Sequence, residues 1–187
     1  MQQRPSLLPT LVLVAAALGA AGCSTTSTSM GAGPSASVAV RLPAADVTFA
    51  TTAAGNGMYE VEVSRLAAGK ATNTRVKEFA NMLVNHHTTA NNELLAIMRS
   101  KGIAPPATLP PDKQAKIAQL SRLSGAEFDR EYMRITGVQD HQADITLFEG
   151  ASRTVQDPAL QGFAAKTLPV LRQHLQSAQA ILGTLAG

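Results

Sequence analysis

Along residues 72–101 the apolar side chains fall at Val76, Phe79, Leu83, Ala90, Leu94 and Ile97. Their steps of three, four and seven put one stripe on one face of a helix. Between Leu83 and Ala90 the same phase lands on His86 or His87, so this regular helix carries imidazole in its apolar stripe. Gly102, Pro105 and Pro106 mark its end.

Three further stripes follow the same rule. Residues 45–68 place Phe49, Ala53, Gly57, Val63 and Ala67 on one face, with Glu60 where an aliphatic residue is expected. Asp46 stands in the first turn, where a carboxylate suits the helix dipole, and Gly55 and Gly57 suggest close packing or a bend. A short link at residues 69–73 makes this helix the antiparallel neighbour of the next. Residues 126–155 carry Phe128, Tyr132, Ile135, Val138, Ile145 and Phe148, with His141 in phase. The fourth helix opens at Asp157 and Pro158 and buries Leu160, Phe163, Leu171, Ala178 and Leu182, with His174 in its stripe. Pro169 inside it predicts a kink or one missing hydrogen bond. Residues 102–125 form the longest connection, with a weakly helical stretch at 112–123, and either cross the bundle or lie over one end. The expected fold is all-α: a ferritin-like antiparallel four-helix bundle with a short extra helix between helices 2 and 3.

Each long helix thus holds one polar residue in its stripe: Glu60, His87 (or His86), His141 and His174. Counted from the turn near Gln156, His141 and His174 differ in height by about 4 Å, and His87 and Glu60, counted from the turn near Ala71, by about 7 Å. Three histidines therefore share one layer, with Glu60 about a turn away, as bundles build metal sites from facing helices. Such a site suits one divalent zinc, copper or iron ion, with Glu60, Asn56 or water completing the shell. Affinity is then expected to fall through the ordinary histidine range, near pH 6–7. Helical phase points only one of His86 and His87 inward, so His86 should matter less. The plainer reading is a set of neutral buried rings satisfied by Tyr132, Asp140, Asp144 or Glu149.

Composition narrows the function classes. The chain has 187 residues, 45% hydrophobic and 16% charged, with no Trp and a net charge of +3. That balance favours a single helical domain over a sheet. No basic cluster or stacking-aromatic pattern appears, so no nucleic-acid partner is expected. Ferritin-type di-iron chemistry lacks its Glu-x-x-His pairs, and no nucleophile elbow or phosphate loop is present.

The N-terminus has one charge, Arg4, then an apolar run from Leu11 to Leu18 too short to span a bilayer comfortably. Ala20, Ala21 and Gly22 precede Cys23, the single cysteine. This resembles a bacterial lipobox, although Ala20 stands where Leu is usual; the alternative is an ordinary signal cut near Gly22. The division expected is a signal peptide at 1–22, a lipidated Ser/Thr/Gly/Ala tether at 23–43 and the bundle at 44–187. By the same resemblance, Ser24 after the cysteine implies outer-membrane attachment facing the periplasm, with the lipid as the membrane contact.

The segments AAGNGMYEVEVSRLAAGKATNTRVKEFANMLVNHHTTAN, FDREYM, His141, Phe148 with Glu149, and KTLPVLRQHL resemble, in order, the bacterial domain-of-unknown-function family 4142. The resemblance covers about residues 45–182 and implies a ferritin-like bundle in an outer-membrane or exported protein. The family motif has aspartate before its histidine; here His86 precedes His87. The resemblance brings no reaction with it. The sequence therefore favours a non-catalytic binding or stress-associated module of the envelope, with a metal-binding or redox protein using the central histidines as the alternative.

Overall fold

A computed structural model describes residues 42–185; the expected signal segment, Cys23 and the tether up to residue 41 lie outside them. The described chain is all-helical. α1 (Ala44–Lys70) and α2 (Thr74–Ser100) form one hairpin, and α3 (Pro111–Ser121) lies in the connection that follows. A second hairpin pairs one long helical rod with α6 (Pro158–Leu185). That rod comprises α4 (Gly125–Tyr132), a π-helical segment (Met133–Asp140) and α5 (His141–Thr154).

The ends of these helices follow from local chemistry. The Asn73 side chain accepts from the amides of Arg75 and Val76 and caps α2. α2 stops at Gly102, whose φ of 69° suits glycine. There the amides of Gly102 and Ile103 return to the carbonyls of Arg99 and Met98, and Ile103 buries itself beneath the turn. Asp157 caps α6 through the amides of Ala159 and Leu160 and pairs with Lys101 at 2.7 Å. Pro169 removes one donor from α6, which nevertheless runs on to Leu185.

Each hairpin also pegs the turn of the other. Asp46 on α1 accepts from the amides of Gln156 and Asp157, so its carboxylate serves the far hairpin rather than its own helix. Asp129 on α4 does the same for the amides of Thr72 and Asn73. These pegs set direction: the α5–α6 turn lies at the start of α1, and α4 begins beside the α1–α2 turn. The connection from Lys101 to Ser124 must therefore travel the length of the domain. It does so along α1, with Pro110 3.4 Å from the point a β-carbon on Gly55 would occupy and α3 packed on α1 and α4. Of the two routes open in the sequence, the crossing one is taken.

The core is divided. One apolar cluster contains Phe49, Leu94, Met98, Phe148, Phe163 and Leu171. The other contains Val63, Phe79, Leu83, Phe128, Tyr132 and Ala178. Near the junction of these two sets every rod places buried polar residues: Glu60 on α1, His87 on α2, Thr136, Asp140, His141 and Asp144 on the third rod and His174 on α6. The interior is thus two apolar halves separated by a polar layer.

Candidate metal centre

His87, His141 and His174 are 8%, 0% and 1% exposed. Their ring centroids form a nearly equilateral triangle with sides of 5.3 to 5.6 Å. One nitrogen from each lies within 4.8 Å of the other two. Three of the four sequence candidates are therefore brought together. Glu60 is not one of the group.

The π-helical segment shapes this centre, and no sequence rule anticipated it. Ile135, Thr136, Gly137 and Val138 are all modest helix formers, and Gly137 lets the widened turn press on α6. A β-carbon there would stand 2.9 Å from that of Ala178. With the turn widened, the Thr136 carbonyl accepts from the His141 ring at 2.8 Å, while the His141 amide goes to Val138. π-bulges of this kind recur at functional sites.

That carbonyl fixes the tautomers of three rings. A carbonyl only accepts, so His141 carries its proton on Nδ1 and offers a lone pair at Nε2. His174 Nδ1, 3.2 Å away, must then donate to it, leaving His174 Nε2 as acceptor. His86 Nδ1, 2.8 Å from that atom, donates in turn. The chain runs from His86 through His174 and His141 to Thr136. It replaces the expected partners Tyr132, Asp140, Asp144 and Glu149, none of which bonds a histidine in the described structure. His86 is exposed yet reaches the buried set from the rim of α2, so both neighbouring histidines take part despite their helical phase. His87 Nε2 is buried with no partner.

The residues fit a metal ion on two counts. The 3.2 Å between His141 Nε2 and His174 Nδ1 matches the spacing of about 3.3 Å that two nitrogens adopt on a tetrahedral ion with bonds of about 2.0–2.1 Å. The orphaned His87 nitrogen supplies a third donor at an energetic penalty while it stays unpaired. Burial also holds the rings neutral. It presses His87 well below the ordinary histidine range, aided by the neighbouring His141, His174 and His86. His141 is lowered by burial, and His174 is lowered to about 3 by burial and then by His141 and His86. Burial thus holds all three rings below the ordinary histidine range.

Beside this centre lies a carboxylate layer. Glu60 is 1% exposed and both its oxygens lack partners. Burial raises its pKa well above the usual carboxylate range, and Asp144 and Asp140 add to the rise. Asp144 accepts from Asn56 at 2.6 Å but is pushed up to about 6, chiefly by burial. Asp140 takes the Tyr59 hydroxyl at 3.1 Å, a short contact from Lys116, and Lys113 at 3.7 Å. Asn56, expected as a possible ligand, is thus committed to Asp144. A cavity of about 20 Å³, large enough for one water, is bounded by His87, Asp144 and Leu171 among others.

Fold and site together define an all-helical domain with a histidine-rich polar layer at its middle. The chain belongs to the family described as Domain of unknown function (DUF4142), whose model matches residues 31–181. Among the solved structures it resembles are two DUF305 proteins. One is a DUF305 fragment from Deinococcus radiodurans, 14% identical, with a TM-score of 0.68 over 76% of this chain and 98% of that one. The other is a DUF305 protein from Streptomyces coelicolor, 13% identical, with a TM-score of 0.66 over 76% of this chain and 94% of that one. At these identities the likeness concerns the fold alone. No curated protein matches the sequence.

Proposed function

We propose that this protein is a non-catalytic, metal-binding module of the bacterial envelope, in which His87, His141 and His174 hold one divalent transition-metal ion. The observation that carries the reading is the convergence of three buried, neutral imidazoles to within 4.8 Å. Three nitrogen donors suit zinc, copper or iron better than magnesium or calcium. Glu60 is left out of the ligand set, because it is not among the residues whose ligand atoms converge. A water-sized cavity borders the centre at His87, and a catalytic-type three-ligand site ordinarily takes water as its fourth ligand.

The two helical hairpins and the connection that crosses between their ends support a ferritin-like arrangement. Attachment to the outer membrane through a lipid on Cys23 remains part of the proposal, with residues 1–22 removed and the following segment acting as a tether. The DUF305 neighbour from Streptomyces coelicolor is described as a candidate secreted protein, which agrees with export. No described helix is long and apolar enough to cross a membrane.

The test is metal analysis of full-length protein purified without a histidine tag, followed by melting with zinc, copper and iron. Binding of one ion per chain, with a rise in melting temperature that His141→Ala abolishes, is the expected result. Failure of all three metals to bind would overturn it. The hydrogen-bonded chain from His86 to Thr136 favours a second reading, a structural polar layer, because it satisfies His141 and His174 with no ion present. On that reading each His→Ala variant loses stability equally with and without metal.

A further inference from the structure

We propose that the surface groove around His86 is the port through which a hydrated divalent ion enters, and that His86 is its first protein ligand. The inference rests on the metal reading above and adds a route to it.

The triad is enclosed, and a bare divalent ion pays a large desolvation penalty to enter a low-dielectric interior. Entry therefore needs a place where the wall is thin and where a donor replaces each water as it leaves. One seam between α2 and α6 offers both. On its outer side a groove of about 270 Å³ is lined by His86, Ala90, Glu93, Lys166 and Thr167. On its inner side lies the cavity of about 20 Å³ that His87 and Asp144 border. Ala90 and Thr167 line both spaces. The wall here is one small residue from each helix.

Histidine stands on both sides of that wall. His86 is exposed in the groove and stacks on buried His174, with centroids 5.1 Å apart and planes 19° from parallel. Its Nδ1 is engaged by His174, which leaves Nε2 as the free lone pair of an exposed ring. Glu93 and Lys166 pair with each other at 2.7 Å, so the groove has no net charge from them and imidazole is its donor. An ion caught at His86 Nε2 can then exchange waters for the inner rings one at a time. A second groove, between α1 and α2, also meets the inner cavity, at Asn91. That approach is closed by the Asn91 side chain, which lies against Gly57 so tightly that a β-carbon there would be 2.2 Å from its oxygen.

The experiment is stopped-flow loading and chelator-driven release of zinc, using full-length wild type, His86→Ala and Ala90→Leu. Both variants are expected to slow loading by about tenfold or more; in Ala90→Leu, which removes no partner of a ligand, release slows in step and the dissociation constant stays within about threefold of wild type. Loading at the wild-type rate in both variants would overturn the port. So would faster release from His86→Ala with unchanged loading, which would make His86 a residue that merely steadies His174. If wild type binds no zinc at equilibrium, the metal reading fails instead, and the two failures are told apart by that single control. Should Ala90→Leu not fold, His86→Ala decides alone.

Discussion

The histidines contributed by α2, α5 and α6 and the carboxylates contributed by α1 and the third rod lie side by side in one polar layer. Burial acts on both groups and always favours the neutral form. For imidazole the neutral form is the ligand, so burial of His87, His141 and His174 makes them ready to bind at neutral pH. For a carboxylate the neutral form is the poor ligand, and burial shifts Glu60 toward that form. Asp140 differs in its partners, since Lys113 and Lys116 reach it from α3.

The largest effect expected from breaking this contrast is at Asp140. Asp140→Ala strips Lys113, Lys116 and Tyr59 of their common partner and should destabilise the fold by about 3 kcal/mol, the low end for a buried pair because both lysines reach solvent. Chemical denaturation measures it, and a change under about 1 kcal/mol would mean that the lysines do not hold the carboxylate layer. Next comes His141→Ala. With metal at about 100 times its dissociation constant, wild type should gain about 2.7 kcal/mol, and the variant should gain nothing. A retained gain would place the ion elsewhere.

The two groups should also respond to pH with opposite signs. His174 is lowered from its unfolded value of 6.5 to about 3. Between those values the unfolded chain binds the extra proton, so the contribution of His174 is present above pH 6.5 and is lost as pH falls. Asp144 is raised from 3.8 to about 6, so its contribution is present below pH 3.8 and is lost as pH rises through 6. In Asp144→Asn the opposing contribution disappears, and apo-protein stability should climb more steeply from pH 4 to 7 than in wild type. An unchanged slope would count against the raised Asp144. Glu60→Gln follows the same logic and should be stabilising at pH 8 relative to pH 4, where the wild-type acid is already neutral.

The smallest effect is a change of tautomer with little change in stability. An ion on His174 Nδ1 displaces the proton to Nε2, and His86 must then accept at Nδ1 and carry its own proton on Nε2. Nitrogen NMR of the imidazoles should show both rings switching on zinc addition while His141 keeps its Nδ1 proton. If His86 keeps its apo tautomer with zinc bound, the ion is not held through His174 Nδ1.

The sequence by itself determined the four stripes, nearly all helix limits and the common height of three histidines. These depend on local quantities: 3.6 residues per turn, 1.5 Å of rise, and turn residues such as Asn73, Gly102 and Pro158. Family membership was legible for the same reason, since its motifs are contiguous. Tertiary structure decided the rest. Asp46 looked like a charge suited to the first turn of its own helix, and only the packing of the hairpins carried it to Gln156 and Asp157. His86 looked excluded by phase, because phase describes where a side chain leaves the backbone and not how far a ring on the rim can reach. The π-helical turn at Thr136 depends on Gly137 pressing against Ala178, a contact 41 residues distant in sequence. Glu60 stood in a stripe one turn from the histidines, and only the packing of α1 against the other rods decided that its carboxylate stays outside their group. Those are properties of the assembled interior, where neighbours from distant parts of the chain set both the dielectric and the charge that each side chain can keep.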